Sequence, residues 1–144
     1  MAAVSKLRFT SICDADVARV RELWDRCGLI RPWNDPDEDI AFARKCPQSE
    51  ILVGRSHDDI VASVMVGHDG HRGAVYYVSV DPDAQGKGYG KQVMAAAENW
   101  LKQQGVWKLN LLVRAENEAV RGFYEQLGYE VEPRLCMARK LLED

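Results

Sequence analysis

The chain has 144 residues, 47% hydrophobic and 28% charged. These values are near the averages of globular domains, so wholesale disorder is excluded and one domain over residues 1–144 is expected. Against 22 acidic residues stand 19 basic ones, and the net charge of −3 is a poor basis for non-specific nucleic-acid binding. No apolar run approaches the roughly 20 residues of a membrane span. The first ten residues lack the apolar core of a secretory signal. A cytoplasmic protein without nucleic-acid or membrane partners is the expectation.

Residues 7–11 read as a short strand. Asp14 is placed to cap a helix in which Val17, Val20, Leu23, Trp24 and Cys27 follow the helical spacing, with Gly28 at its end. A second helix starts at Asp35, with Pro36 at its first position and Glu38 placed to close a capping box, and runs to about Lys45. Residues 51–55 and 60–66 read as strands around a turn at His57, Asp58 and Asp59, and Asp69-Gly70 marks the next turn. Residues 74–80 are apolar on both faces, which predicts a central strand, stopped by Asp81-Pro82. A long helix follows over about 88–104, with Val93, Met94, Ala97, Trp100 and Leu101 on one face. Residues 107–113 read as another strand, and Asn117 caps a helix carrying Val120, Phe123, Tyr124 and Leu127 that Gly128 stops. The tail over 129–142 reads as two strands broken at Pro133. The order β-α-α-β-β-β-α-β-α-β-β predicts an α+β (α/β) fold with a mixed sheet.

Cys13, Cys27, Cys46 and Cys136 match neither a zinc pattern nor a redox pair, so free thiols and no metal are expected. The segment Gln85-Gly86-Lys87-Gly88-Tyr89-Gly90-Lys91 lies between the central strand and the long helix. Glycines there let another group approach the backbone, and free amides at a helix start favour an anion. With Lys87 and Lys91 added, a diphosphate is the natural guest. Lys91 stands where the dinucleotide fingerprint needs its third glycine, and Gln92 follows it where a Walker loop needs Ser or Thr. What the segment matches is Q-x-x-G-x-G, at Gln85, Gly88 and Gly90.

That pattern resembles the acetyl-CoA loop of the GNAT superfamily of N-acetyltransferases, and further matches follow in order. Asp81-Pro82 looks like the family's V-x-P turn, Leu109-Asn110-Leu111-Leu112-Val113 like its fifth strand, and the stretch from Ala119 through Tyr124 to Gly128-Tyr129 like its A-x-x-x-Y-x-x-x-G-F helix. Within the superfamily, the runs from Arg31 to Pro36 and from Gly67 to Gly73 look like the YpeA-type bacterial branch. The resemblance implies acetyl-CoA as cosubstrate and a splay between strands 74–80 and 107–113 that admits the pantetheine arm. It implies backbone contacts to that arm from Val78, Ser79 and Val80. The pyrophosphate falls to Gln85, Gly86, Lys87, Gly88, Tyr89, Gly90 and Lys91, and Asn117 is a helix cap that also touches the cofactor. Strand rise then puts the thioester roughly 13–17 Å from the loop, near Tyr76 and Tyr77.

The implied reaction is direct attack on acetyl-CoA by a primary amine of a small molecule or a peptide amino terminus. By the same resemblance Tyr124 is the general acid; read alone, it is also a core aromatic sharing a face with Val120 and Leu127. A catalytically silent acyl-CoA-binding module of the same fold is the alternative, and either reading allows a monomer or a homodimer. Glu50, His68, His71 and an ordered water are all open as the base. Trp24, Arg31, Trp33, Asn34 and Asp35 are candidates for the acceptor pocket, although Trp24 also fits the core and Asp35 a cap. Cys136 is read as structural.

Overall fold

The computed structural model describes residues 5–142, so the ends of the chain, including part of the stretch read above for a signal, lie outside the described residues. The chain divides into two compact units, Met1–Leu111 and Leu112–Asp144. The first holds β1 (Arg8–Ser11), a 3₁₀ turn (Asp14–Asp16), α1 (Val17–Arg26), α2 (Pro36–Lys45), β2 (Ser49–Ser56), β3 (Asp59–His68) and β4 (Gly73–Val80). A second 3₁₀ turn (Pro82–Ala84), α3 (Tyr89–Gln103) and β5 (Leu109–Asn110) complete it. The second unit holds α4 (Glu118–Gln126).

The sheet order is β1-β2-β3-β4-β5. Its first four strands are antiparallel neighbours, and β5 lies parallel to β4. Tight turns join β2 to β3 and β3 to β4, whereas a parallel neighbour needs a crossover, which α3 supplies. On one face α1 and α2 bury Val20, Leu23, Trp24 and Ile40 against Ile51 and Val53. Leu52, Val64 and Val66 alternate with these along the strands and line the other face, where α3 buries Val93, Met94, Ala97 and Leu101.

Two arginines of α1 hold the end of β4. The buried Asp81 accepts from Arg19 at 2.8 Å, from Arg26 at 3.0 Å and from the Asp83 amide at 2.9 Å. Burial alone would raise its pKa, but these donors outweigh burial and hold it at about 2. A carboxyl depressed below its unfolded value stabilises the fold above that value and loses the contribution as pH falls toward the folded one. With allowance for water around both arginines, about 1–2 kcal/mol should disappear between pH 5 and pH 2. Urea titrations of wild type and Asp81→Asn at pH 6.5 and pH 2.5 check this. The variant should be less stable at pH 6.5, and the gap should narrow to less than half at pH 2.5; a gap independent of pH would refute it.

Three sequence expectations change. The strand expected over 107–113 pairs only at Leu109 and Asn110, because its register with β4 ends after Gly73↔Leu109 and Ala74↔Asn110. The two strands expected over 129–142 do not form among the described residues, and Val131, Leu135, Met137 and Leu141 are exposed there. A strand is stabilised by a paired neighbour, and sequence alternation does not provide one. Asp14 does not cap α1. It pairs with Arg44 at 2.8 Å, while Asp16 accepts from the Cys13 amide at 3.1 Å to start the turn.

Candidate active site

The segment between β4 and α3 turns on two glycines with positive φ, Gly86 at 80° and Gly88 at 79°. Gly88 is the N-cap of α3, in the left-handed region that disfavours any residue with a Cβ. Gln92 donates to the Gly88 carbonyl at 3.4 Å. The amides of Tyr89, Gly90 and Lys91 therefore come before the first helical hydrogen bond and have no intrahelical acceptor. The Tyr89 ring is buried and anchors the turn, while Lys87 and Lys91 are exposed beside it. Gln85 reaches back to the Val80 carbonyl at 3.4 Å.

Next to this loop, β4 keeps β3 on one side to its end, while its register with β5 on the other side ends at Ala74. Asp81 donates to Val61 of β3 at 2.7 Å. Alternation then turns the backbone of Ser79 toward β3 and that of Val78 and Val80 toward the open side. The Val80 carbonyl there also accepts from the Cys27 thiol at 3.2 Å, and burial pushes that thiol's pKa up. The Ser79 side chain belongs to a buried chain in which Trp24 Nε1 donates to Ser63 Oγ at 2.9 Å and Ser63 Oγ lies 2.8 Å from Ser79 Oγ.

In the middle of β4 the register slips. Met65 faces Tyr76 and Ser63 faces Ser79, so Tyr77 and Val78 both oppose Val64 in a bulge. Strict alternation from Val75 would send Tyr77 to the α3 face, and the extra residue turns it to the α1–α2 face instead. Tyr77 has φ 53°, a left-handed conformation that costs a tyrosine about 1–3 kcal/mol. Its ring stacks on Trp24 with centroids 3.8 Å apart and planes 3° from parallel, and its hydroxyl donates to Asp39 Oδ2 at 2.6 Å. Burial, then the Asp39 carboxylate, pushes the Tyr77 phenol well above the usual tyrosine range. Sequence reasoning missed this bulge and the Tyr77–Asp39 bond.

In the second unit, Asn117 Oδ1 caps α4 by accepting from the Val120 amide at 3.2 Å. Tyr124 is 9% exposed and meets Phe123 and Tyr129 edge-on, at 5.0 and 5.7 Å between centroids. Burial raises its phenol pKa, so the hydroxyl keeps its proton at neutral pH.

Residues 17–129, which take in this loop and helix start, match the acetyltransferase (GNAT) family. The chain belongs to the GNAT family. It is 42% identical over 129 residues to an acetyltransferase of Pectobacterium atrosepticum, across 90% of this chain and 92% of that one. To an acetyltransferase of Yersinia pseudotuberculosis it is 41% identical over 129 residues, with the same coverage. Its fold is similar to the aminoglycoside N-acetyltransferase AAC(6')-Iy solved with CoA, with a TM-score of 0.79 and 16% identity over 99% of each chain. It is also similar to the ribosomal-protein-S18-alanine N-acetyltransferase of Escherichia coli, with a TM-score of 0.72 and 21% identity over 85% of this chain and 76% of that one. The GNAT chain is an acyltransferase with a mixed α+β fold.

The remaining sequence candidates of this GNAT chain lie in different settings. Trp24 is fully buried, which makes it core and removes it from any pocket wall. Asp35 caps α2, accepting from the amides of Asp37 at 2.9 Å and Glu38 at 3.5 Å. Arg31 donates to the Gly28 carbonyl at 2.7 Å and accepts from the Asn34 amide at 3.0 Å through its own carbonyl, closing the α1–α2 connection. Trp33 in that connection is 59% exposed. His68 takes the Gly70 amide at 3.0 Å on Nδ1, and His71 stands beside Arg72. His68 faces Gly73, about 13 Å along β4 from the bulge. Glu50 is bonded to the Ser11 hydroxyl at 2.9 Å and the Ile51 amide at 3.0 Å. Cys136 is exposed, so it contributes nothing to the core.

Proposed function

We propose that this GNAT chain moves an acetyl group from acetyl-CoA to a primary amine, of a small molecule or a peptide amino terminus, by direct attack. The observation that carries the reading is the run of amides from Tyr89 to Lys91 ahead of the first helical hydrogen bond of α3, close in sequence to the stretch of β4 beyond its pairing with β5. Gln85, Gly86, Lys87, Gly88, Tyr89, Gly90 and Lys91 take the pyrophosphate, chiefly through backbone N–H groups and the α3 dipole. The Val78 carbonyl and the Val80 N–H are offered to the two pantetheine amides, and Asn117 adds a cofactor contact.

In the chemical step the neutral amine attacks the thioester carbonyl. The Val78 N–H stabilises the oxyanion, the C–N bond forms as the C–S bond breaks, and the amine's proton leaves through ordered water. Tyr124 donates its proton to the departing thiolate. Acceptors named for two fold relatives, an aminoglycoside and an alanine of a ribosomal protein, support a primary amine as the acceptor class. The test is thiol release from acetyl-CoA against a panel of amines, amino acids and peptides. Amine-dependent release supports the reading, and release with none of them refutes it.

Acceptor choice is assigned to the connection between α1 and α2. Trp33 is presented to solvent there, so Trp33→Ala should cost less than about 1 kcal/mol of stability. Steady-state kinetics should show its KM for the amine raised about 5-fold or more and its KM for acetyl-CoA within about twofold. The reverse pattern, unchanged kinetics with a large fall in Tm, would make Trp33 a packing residue.

A further inference from the structure

Asp39 differs from the ion-paired carboxylates around α1 and α2, and from the exposed Asp25 and Glu38, in being half-buried and held by a fixed side chain. Asp37 is paired with Arg21, Asp14 with Arg44, Asp16 with Arg55 and Asp81 with Arg19 and Arg26. Asp35 is spent on the α2 cap. Asp39 has no cationic partner among the described residues, and its one side-chain bond, on Oδ2, is to the neutral phenol of Tyr77. That phenol is fixed, because its ring is stacked on the fully buried Trp24. The backbone of Tyr77 is the bulge itself, so the carboxylate is tied to the middle of β4, on the stretch where the strand has no β5 neighbour.

We propose that Asp39 receives the ammonium group of the acceptor through its second oxygen, with Tyr77 as the positioning residue that holds the carboxylate at the bulge. This rests on the acyl-CoA reading above, which puts the thioester near the same residues. An amine arrives at neutral pH as a cation; a carboxylate held still stabilises it while it sheds its water, and the amine then gives up one proton to ordered water and leaves the ion pair as the neutral base before its nitrogen attacks the thioester carbonyl. A fixed anion also discriminates. An amine with a carboxylate on the adjacent carbon, as in a free amino acid, is repelled, whereas a simple amine or a peptide amino terminus is not. Phe42 lies one turn beyond Asp39 on the same flank of α2 and is 79% exposed, which provides an aromatic surface for the body of the acceptor.

The test titrates the CoA-loaded protein by calorimetry with phenethylamine and with phenylalanine, which differ by that carboxylate. Phenethylamine should bind at least 10-fold more tightly than phenylalanine. Asp39→Asn should lose at least 10-fold in phenethylamine affinity while CoA affinity stays within twofold, and Asp39→Glu should recover part of the loss. Tyr77→Phe keeps the ring stack and should lose about 2–5-fold. Equal phenethylamine binding in wild type and a folded Asp39→Asn, or no phenethylamine binding to the loaded wild type, overturns the assignment. A wild type that takes up no CoA overturns the acyl-CoA reading beneath it, so the two failures are told apart.

Discussion

Replacing Tyr124 by Phe is expected to lower kcat by about 10²-fold or more while leaving CoA affinity within about twofold. The ring keeps its edge-on contacts to Phe123 and Tyr129, so the variant should fold and retain its Tm to within a few degrees. What it loses is the hydroxyl proton. Burial raises the Tyr124 pKa, and a phenol is protonated below its pKa, so the acid is fully charged with its proton throughout pH 6–8. The ratio of wild-type to variant kcat should therefore be flat across that range. Stopped-flow thiol release at several pH values measures it. An unchanged kcat would leave Tyr124 a packing residue, and equal losses of kcat and CoA affinity would make it a binding contact.

The parts of the fold that were legible in the sequence are those fixed by neighbours along the chain. Asp35 and Pro36 open α2 because a cap and a residue without an N–H act over a single turn. Gly88 at the start of α3 was legible for the same reason, since the glycine spacing and the helical face that follows are both local. The β4 bulge was not. It depends on how Val64 of β3 meets two residues of β4, and the apolar run over 74–80 looks the same with or without that slip. Trp24 was ambiguous because its position on α1 fits either a core or a pocket. Its ring nitrogen finds Ser63, distant in sequence, and that decides for the core.

The same distinction explains the errors at the end of the chain. Residues 107–113 and 129–142 have strand-like composition, which is a capacity to pair and not a partner. Among the described residues only Leu109 and Asn110 stand in register with β4, with the Lys108 carbonyl accepting from the Gly73 amide just before them. The early end of that pairing leaves β4 from Val75 onward without a β5 partner among the described residues, so the short β5 and the candidate binding stretch of β4 are one feature. Asp81 was read as half of a strand stop and of a turn resembling the family's. Its second role needs two arginines of α1, far back in the sequence, and no local pattern announces them.

Gly88→Val should weaken CoA binding by about 100-fold or more in a protein that still folds. Gly88 holds φ 79°, and a β-branched residue there costs about 1–2 kcal/mol or more, which the loop escapes by turning away from that conformation. Turning away moves the first amides of α3, those of Tyr89, Gly90 and Lys91, out of their shared direction. Hydrogen bonds to a charged acceptor contribute about 1.5–3 kcal/mol each, so losing one or two to a diphosphate accounts for the expected factor. Gly88→Asn provides the control, because asparagine tolerates the left-handed region; its loss should stay within about 10-fold. Removing a single lysine, Lys87 or Lys91, should cost about 3-fold at low salt and less at high salt, since both are exposed and screened. Calorimetric titration of CoA into each variant, with Tm recorded alongside, separates these outcomes. Unchanged CoA affinity in a folded Gly88→Val would remove the glycine loop from the binding site and shift the search for the pyrophosphate contact to other elements of the fold.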